Sequence, residues 1–464
     1  MEKYDVVVIG AGPGGYPAAI RAAQLGASVA IVEKEMLGGT CLNWGCIPTK
    51  ALIASSELYH NAIHGKDMGV TANADYDYAA MIKRKGDVVG KLKGGVEMLL
   101  KSNGVDIIKG TASFKSRNKL VIKGKGKAAA REIEVGSTII ATGSTSVMPG
   151  FIPKGKNVVE SRKFLDITEL PDSMLVLGGG VIGCEFACMA AMLGVKVTIV
   201  EMLDDILFML DADVRKEIRR NMEDVLNIEI LTGQPMQNIK AGKDGVTGKV
   251  GDKDVDAEML LVSIGRAPVT DGLDLENAGI TTDDRGFIEI DDYCRTKAAT
   301  VYAIGDVTAG STQLAHAATS QGVTAAENAC GDYNKAETYI PACIFTSPEC
   351  GTAGLTEQQA KEQGIKYKVG KYAFGGLGKA MAAGETGGFV KILADAETDQ
   401  LLGAHSVGAH ATELISQMAV AIRNEITAEE LGSTVHCHPT FSEAWMEAGH
   451  ALHGVCIHQP GKRR

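Results

Sequence analysis

A unit that occurs twice constrains the fold of this chain more than any other sequence feature. Residues 5–33, the first unit, contain a short apolar run rich in β-branched side chains, a glycine-rich loop, a helical pattern and a second apolar run that ends at Glu33. Residues 174–201, the second unit, contain the same series and end at Glu201. The first glycine of the loop precedes the acid by 23 positions in both units (33 − 10 and 201 − 178). Two such units predict two dinucleotide-binding domains.

The glycines of the first loop have separate physical tasks. Gly10 permits a tight turn, Gly12 lets the backbone approach a pyrophosphate, and Gly15 lets helix and strand pack closely. The N-terminus of the following helix favours anionic phosphates, and Glu33 can accept hydrogen bonds from ribose hydroxyls. An isolated glycine loop can be only a sterically required turn. Here the strand, the helix and the acid all stand at the expected positions, which favours nucleotide binding.

The second loop, with Gly178, Gly180 and Gly183, also indicates which nucleotide it binds. Glu201 ends the second strand of this unit, and no Lys or Arg follows before Arg215. A carboxylate at this place suits a free ribose 2′-hydroxyl and repels a 2′-phosphate. The sequence therefore predicts NAD rather than NADP.

Length and patterning predict an α/β chain with a different C-terminal part. The 464 residues suggest about three domains, at roughly 100–200 residues each. Residues 77–102 have a helical pattern, and the short apolar runs within residues 104–135 are typical of strands. After about residue 340, strand-like runs and helical patterns at residues 410–424 and 427–432 predict a separate α+β domain.

Charge and hydropathy restrict the partners and the location. The net charge of −10 makes nucleic acid a poor partner, because phosphate backbones are held by basic surfaces. The chain opens without a signal-peptide pattern, and its most apolar stretch is interrupted by Glu185 and Lys196. We therefore expect no membrane partner and a cytoplasmic protein. The basic residues 462–464 are interpreted as a solvated terminus.

Two of the ten cysteines stand just after the first unit. We expect Cys41 in the turn that enters a helix and Cys46 about one turn further on, a separation that can satisfy disulfide geometry. A helix start also lowers a thiol pKa. Two buried thiols or half of a zinc site are the alternatives. No second cysteine pair at ligand spacing follows nearby, so we expect no metal.

A histidine near the C-terminus supplies a candidate base. Exchange between dithiols needs a group that takes and returns a proton near neutral pH, and His does this best. His438 has a carboxylate, Glu443, five positions on, which can fix the imidazole tautomer. A lone histidine is more often structural, so His405, His410 and, on sequence grounds alone, His316 are interpreted as structural.

Taken together, these residues resemble the pyridine nucleotide–disulfide oxidoreductase family. The similarity runs from about residue 4 to residue 450. Within the family, the branch that oxidises dihydrolipoamide is the nearest match. The motifs that carry the resemblance are the redox segment at residues 38–50, the crossover at 141–144, the loop at 264–268 that closes the NAD domain, the FAD-binding segment at 302–306, and His438-Pro439 with Glu443.

The resemblance implies an architecture and a set of partners. It implies an α/β fold with two Rossmann-like domains, one for FAD at residues 1–145 (the chain returning to it at about 271–340) and one for NAD at 146–270. A C-terminal α+β dimerisation domain would follow at 341–464. The resemblance further implies a homodimer in which His438 and Glu443 of one subunit complete the site of the other, and a lipoyl-carrying partner protein.

The resemblance also assigns the site residues. Cys41 would exchange with the substrate sulfur, Cys46 would face the flavin, and Lys50 would lie near flavin N5 and pair with Glu185. The other expected FAD contacts are Gly10, Gly12, Gly15, Glu33, Gly39, Thr40, Ala112, Thr142, Gly143, Ser144, Asp306, Gln313, Leu314, Ala315 and His316. The expected NAD contacts are Gly178, Gly180, Gly183, Glu185, Glu201 and Gly265.

These implications predict a flavoenzyme that reoxidises protein-bound dihydrolipoamide with NAD, through a Cys41–Cys46 disulfide, in 2-oxo acid dehydrogenase or glycine cleavage complexes. A glutathione-type reductase shares both cysteines, but Glu201 argues against its NADPH preference. NADH oxidase-like flavoproteins generally use one redox cysteine, and mercuric reductases have a vicinal pair where Cys456 is single. A scaffold role in a multienzyme complex is an alternative that is compatible with catalysis. Trp44 and Ser442 depart from the usual family residues.

Overall fold

The computed structural model describes residues 2–124 and 130–460, so the basic tail at 462–464 lies outside the described residues. The strands are β1 (Glu2–Ile9), β2 (Val29–Glu33), β3 (Asp106–Lys109), β4 (Thr111–Ser116), β5 (Lys119–Lys123), β6 (Arg131–Ile140), β7 (Ser144–Ser146), β8 (Val158–Glu160), β9 (Ser173–Leu177), β10 (Lys196–Val200), β11 (Glu229–Leu231), β12 (Met236–Ala241), β13 (Val246–Val250), β14 (Lys253–Ala257), β15 (Met259–Val262), β16 (Arg266–Pro268), β17 (Val301–Ala303), β18 (Ala342–Ile344), β19 (Cys350–Gly354), β20 (Tyr367–Ala373), β21 (Gly388–Asp395) and β22 (Leu401–Gly408).

The helices connect and cover these strands. They are α1 (Gly15–Gln24), α2 (Gly39–Trp44), α3 (Cys46–His64), α4 (Tyr78–Ser102), α5 (Ser161–Phe164), α6 (Val181–Met192), α7 (Ala212–Asp224), α8 (Ala315–Ala329), α9 (Glu357–Glu362), α10 (Gly378–Ala383), α11 (Ala411–Arg423), α12 (Ala428–Ser433) and α13 (Glu443–Leu452). Short 3-10 helices lie at Gly65–Met68, Leu275–Ala278, Gly305–Val307 and Phe374–Gly376. The helix predicted at 77–102 is therefore confirmed as α4.

The first unit is built on a parallel core of strands. β1 pairs in parallel with β2 and β6, and the sheet order is β3-β2-β1-β6-β5-β4. Val6, Val7, Val8 and Ile9 are all buried, as expected for a parallel strand that is covered on both faces. β17 joins this sheet by pairing with β6, so the chain returns to the first sheet after the second unit.

The second unit repeats the plan in a five-stranded parallel sheet of order β11-β10-β9-β15-β8. Helix α6 is buried along most of its length, and this explains its nearly uniform apolar sequence. Strands β7 and β16 form a two-stranded antiparallel link between the segments that lead into and out of this unit.

The C-terminal part is an antiparallel five-stranded sheet of order β18-β19-β22-β21-β20, which packs against α11 and α13. The largest fully buried side chain in its core is Trp445 on α13. The predicted class, two parallel α/β units followed by an α+β part, is confirmed, while the domain boundaries stay a prediction. Within the ranges that the structure covers, no helix is both long and apolar enough to span a membrane.

Candidate active site

The first and third glycines of each loop are required by the chain itself. A Cβ on Gly15 would lie 1.9 Å from the carbonyl oxygen of Gly10, and a Cβ on Gly183 would lie 2.1 Å from that of Gly178. These distances are far below contact, so an alanine at either position would push the helix away from its strand. Gly10 and Gly178 also have positive φ angles, of 101° and 107°. Steric demands therefore account for these four glycines.

The middle glycine of each loop has no such explanation. A Cβ on Gly12 would meet its nearest neighbour, Gly39 Cα, at 3.9 Å, and a Cβ on Gly180 would have no described atom within 4 Å. Gly12 lies in the turn that leads into α1, and Gly180 is the N-cap of α6, so both glycines precede a helix N-terminus, where backbone N–H groups point outward. Open space in front of a helix N-terminus fits a pyrophosphate. The residues present therefore fit a dinucleotide at each loop, as required by the expectation of FAD at the first loop and NAD at the second.

The two acids hold equivalent positions in the two units. Glu33 accepts hydrogen bonds from the N–H groups of Ala11 and Glu35, at 2.8 and 2.7 Å. Glu201 accepts from Gly179 and Leu203, at 2.7 and 2.9 Å. Each carboxylate is thus tied to its own glycine loop, and each oxygen keeps a lone pair for a ribose hydroxyl.

The first two arginines that follow Glu201 in the chain are already paired. Arg215 lies 3.3 Å and Arg219 lies 3.0 Å from the carboxylate of Asp205. These two guanidinium groups are therefore occupied by a protein carboxylate. This arrangement agrees with the predicted preference for NAD, since a 2′-phosphate needs a free cation.

The crossover segment is hydrogen-bonded to the segment that contains Asp306. Ser144 donates its hydroxyl proton to Asp306 Oδ2 at 2.6 Å and receives a hydrogen bond from Arg266 Nε at 2.7 Å. Thr142 donates to the carbonyl oxygen of Val269 at 2.6 Å. The carboxyl ends of strands β6 and β17 therefore bring together Thr142, Ser144 and Asp306.

The remaining predicted nucleotide contacts have varied surroundings. Ala112 is buried on edge strand β4, so only its backbone can reach a ligand. Gly39 packs against Gly12, and Gly143 and Gly265 adopt positive φ angles of 70° and 126°. The segment from Gln313 to His316 forms the start of α8, while Thr40 lies in α2. Their roles as cofactor contacts stay predictions.

The two cysteines of the redox segment lie in different helices. Cys41 is inside the short helix α2, and Cys46 is the first residue of α3. The expectation that Cys41 lies in a turn, with Cys46 one helical turn further on, is therefore wrong. The physical reason is Gly45, whose φ of −144° and ψ of −114° interrupt the helix between the two thiols.

This geometry separates the acidities of the two thiols. The hydrogen bond from the Cys41 S–H lowers the pKa of the Cys46 thiol to about 7; burial opposes this shift and the nearby Lys50 ammonium supports it. The same hydrogen bond, together with burial, raises the pKa of the Cys41 thiol well above its ordinary value. Cys46 is therefore the thiolate of the reduced pair.

Lys50 connects the redox helix to the second unit. Its ammonium lies 2.8 and 2.7 Å from the two carboxylate oxygens of Glu185, which is buried on α6. Glu185 also accepts a hydrogen bond from the Phe345 N–H at 3.0 Å. The predicted pairing of Lys50 with Glu185 is present, one helical turn after Cys46.

The candidate base and its carboxylate are also in contact. His438 Nδ1 lies 2.8 Å from Glu443 Oε1, and the Thr440 N–H donates to Glu443 Oε2 at 2.9 Å. Burial disfavours the charged Glu443, but the hydrogen bonds from Thr440 and His438 outweigh it and hold the pKa of the carboxyl below its ordinary value. An ionised Glu443 makes Nδ1 the protonated nitrogen and leaves His438 Nε2 free to accept a proton.

Within one described chain, the base and the dithiol are not brought together. The side chain of His438 is 74% exposed, and none of the described hydrogen bonds or ion pairs joins it to Cys41 or Cys46. A second chain or a substrate must approach this imidazole before it can act.

Sequence reasoning missed a contact beside the dithiol. The Arg162 guanidinium lies 3.7 Å from the ring centroid of Trp44 and 3.2 Å from Glu35 Oε2. Trp44, the departure from the family motif, therefore packs against a cation that comes from α5. In the sequence, the sign of this contact was the unusual residue Trp44 alone, because its partner Arg162 is distant along the chain.

Comparison with known proteins adds to this geometry. Residues 4–322 match the family model for pyridine nucleotide-disulphide oxidoreductases, and residues 340–449 match the dimerisation domain of that family. The chain belongs to the pyridine nucleotide-disulphide oxidoreductase family. The second match places the family's dimerisation domain in the C-terminal part of the chain.

Individual members of this family are similar over almost their whole length. A dihydrolipoyl dehydrogenase from Haloferax volcanii is 43% identical over 98% of this chain and 97% of its own. A dihydrolipoyl dehydrogenase from Bacillus subtilis is 42% identical over 98% of this chain and 99% of its own. Among solved structures, the HOCl-induced flavoprotein disulfide reductase RclA from Escherichia coli superimposes with a TM-score of 0.85 at 29% identity, over 95% of this chain and 98% of its own.

Proposed function

We propose that this chain is an FAD-dependent dihydrolipoyl dehydrogenase that oxidises protein-bound dihydrolipoamide and reduces NAD. The observation that carries the proposal is the Cys41–Cys46 pair, with one acidic thiol, next to Lys50 and between two dinucleotide-binding loops. A dithiol placed in this way can pass two electrons from a substrate dithiol to a nucleotide-bound carrier.

The first step that the residues support is proton removal from the substrate. His438 Nε2 takes a proton from one thiol of dihydrolipoamide, while Glu443 stabilises the imidazolium through Nδ1. The substrate thiolate then attacks Cys41 Sγ in the oxidised pair. The Cys41–Cys46 bond breaks, a substrate–Cys41 disulfide forms, and Cys46 leaves as a thiolate.

The second step closes the substrate disulfide. The other substrate thiol attacks the substrate sulfur that is bound to Cys41, and its proton passes to the departing Cys41 sulfur, whose thiol has a raised pKa. This releases cyclic lipoamide and leaves Cys41 as a thiol. In the first step, Cys46 is a good leaving group because its thiol has a pKa of about 7. Bound FAD would supply the carrier that takes two electrons from the reduced pair and passes them to NAD as hydride.

The subunit arrangement follows from the exposed base. We propose a homodimer in which His438 and Glu443 of one subunit serve the dithiol of the other, because His438 is 74% exposed and lies in the dimerisation domain. The partner is a lipoyl-carrying protein, either the acyltransferase subunit of a 2-oxo acid dehydrogenase or a glycine cleavage carrier. The net charge of −10 suits a basic binding segment on that partner. The proposed location is the cytoplasm.

An anaerobic assay of the purified protein tests this function. NAD reduction is followed with dihydrolipoamide, and NADPH oxidation is followed in parallel with glutathione disulfide. We expect rapid turnover with the first pair only. Turnover with only the second pair would assign the chain to the glutathione-type branch and would show that Glu201 does not select NAD.

Cys46→Ser supplies the matched variant for the same assay. It should abolish dithiol turnover and keep the bound flavin, because the serine hydroxyl does not form a redox disulfide while the nucleotide loops are unchanged. Cys330→Ser is the control, since Cys330 is an exposed cysteine that lies away from the redox segment. Full lipoamide activity in Cys46→Ser would contradict the scheme.

A further inference from the structure

A buried charged cluster joins the C-terminal sheet to the second unit. Lys391 lies on β21, and its side chain is 2% exposed. Its ammonium is 2.8 Å from Asp211 Oδ1, which is equally buried, and 3.2 Å from Asp213 Oδ2. A third carboxylate, that of Glu357, lies 2.5 Å away. An ammonium in such a place is tolerated only because carboxylates surround it.

Asp211 connects this cluster to helix α7. Its side chain caps the helix by accepting a hydrogen bond from a backbone N–H of the first turn, at 3.1 Å. Residues 202–210 form the loop that ends at Asp211. From further along α7, Arg215 and Arg219 both bind Asp205 in this loop. The loop and the helix are therefore in contact at two places, the Asp211 cap and the Asp205 carboxylate.

The loop at 202–210 braces the second glycine loop. The Leu207 N–H donates to the carbonyl oxygen of Gly179 at 2.8 Å. The side chain of Ile206 fills the space beside Gly179, where an added Cβ would meet it at 2.7 Å. The Gly179 N–H in turn donates to Glu201 Oε2 at 2.7 Å. The glycine loop and the ribose-binding acid therefore both depend on where this loop lies.

We propose that Lys391 is a positioning residue for NAD. By holding Asp211 from the C-terminal sheet, it keeps the loop at 202–210 against the second glycine loop, in the arrangement that phosphate and ribose require. The inference rests on the proposed function of the second glycine loop, which is NAD binding. It goes further in stating that the C-terminal sheet determines part of the affinity for NAD. A displacement of 1 Å in such a support can cost about 10²-fold in a rate.

Three variants and one control test the proposal. Lys391→Met removes the ammonium and keeps a chain of similar length. The double variant Lys391→Met/Asp211→Asn removes the carboxylate that would otherwise be buried without its partner. Asp211→Asn alone keeps a side-chain oxygen that can cap α7. This variant tests the proposal if neither Lys391 variant folds. Lys371→Met is the control, because Lys371 binds Asp213 at 3.1 Å but is 43% exposed.

The measurements separate the two halves of the reaction. Equilibrium titration gives the Kd for NAD, and anaerobic mixing gives the rate at which dihydrolipoamide reduces the bound flavin. Amide hydrogen exchange at Leu207 reports whether the brace has loosened. We expect the Lys391 and Asp211 variants to raise the Kd for NAD about tenfold or more, with faster exchange at Leu207 and unchanged flavin reduction. Lys371→Met should match the unaltered protein.

Two results would overturn the inference. A folded variant with an unchanged Kd for NAD would show that the cluster does not position the nucleotide. Equal losses in flavin reduction and NAD affinity would show only a general structural role. Failure of the proposed function is distinct, because the unaltered protein would then bind no NAD or would not be reduced by dihydrolipoamide.

Discussion

Two alanine substitutions in the second glycine loop test why each position is glycine. One glycine leaves space for a ligand, and the other is required by packing within the chain. At Gly180 an added Cβ has no described atom within 4 Å, and the backbone angles, φ −78° and ψ −175°, suit any residue. At Gly183 an added Cβ lies 2.1 Å from the Gly178 carbonyl oxygen, so helix and strand must separate by about 0.9 Å (3.0 − 2.1) to reach the closest real contact.

Gly180→Ala should mainly affect NAD binding, and Gly183→Ala should mainly affect stability. Gly180→Ala should change the free energy of unfolding by less than about 1 kcal/mol, since alanine also reduces the entropy of the unfolded chain. Its methyl group would occupy the space of the pyrophosphate, and one lost hydrogen bond to a charged group costs roughly 1.5–3 kcal/mol. That loss corresponds to about a 10- to 150-fold rise in the KM for NAD. Gly183→Ala should cost roughly 1–3 kcal/mol of stability through overpacking.

Denaturant unfolding and steady-state kinetics measure these effects, with anaerobic flavin reduction by dihydrolipoamide as the internal control. That half of the reaction does not use the second loop, so its rate should be unchanged in Gly180→Ala. An unaltered KM for NAD in this variant would refute the assignment of the open space to a pyrophosphate. A larger stability loss in Gly180→Ala than in Gly183→Ala would refute the contact argument itself.

Two further variants test the proton and electron path. Glu443→Gln should lower kcat about 10²-fold or more, as expected for loss of the group that orients a general base, and steady-state assays at saturating substrate measure it. Because the folded chain depresses the pKa of the Glu443 carboxyl below its ordinary value of 4.5, its contribution to stability is present at neutral pH and is lost as the pH falls through the folded pKa. Thermal unfolding of Glu443→Gln should therefore depend less on pH in the acid range, and an identical dependence would contradict the carboxyl's assigned contacts. Lys50→Met should raise the pKa of the Cys46 thiol above about 7, which the pH dependence of alkylation of the reduced protein reports. It should also cost about 3 kcal/mol of stability, at the lower end for a buried pair, because Lys50 is partly exposed and Glu185 keeps the Phe345 N–H. An unchanged alkylation profile would show that Lys50 does not stabilise the thiolate.

The sequence predicts the two nucleotide-binding units well because their physical requirements are local. Buried parallel strands need unbroken apolar runs, and the close approach of helix to strand needs glycine at a fixed spacing. Both requirements are visible within about 30 residues of chain in each unit. Predicted and observed strands agree closely for the same reason: β1 covers the expected run, and β10 ends one residue before Glu201.

Features that depend on one backbone angle or on distant partners are not visible in this way. The break at Gly45, which places Cys41 and Cys46 in separate helices, follows from a conformation that composition does not specify. Lys391 and Asp211 lie 180 positions apart, and either residue alone is an ordinary charged side chain in the sequence. Such contacts are decided by tertiary packing, so pattern analysis has no means to find them.

Glu185 shows how the fold joins its parts at the site of electron transfer. This buried carboxylate belongs to α6 of the second unit, binds Lys50 on the redox helix, and accepts the backbone N–H of Phe345 at the start of the C-terminal part. A carboxylate in the interior is costly unless each oxygen is satisfied, and here both partners come from other parts of the chain than the unit that carries Glu185. Movement of the redox helix away from the second unit would remove the ammonium, and movement of the C-terminal part would remove the Phe345 N–H. The same contacts that make Glu185 tolerable therefore hold the redox helix and the start of the C-terminal part against the second unit.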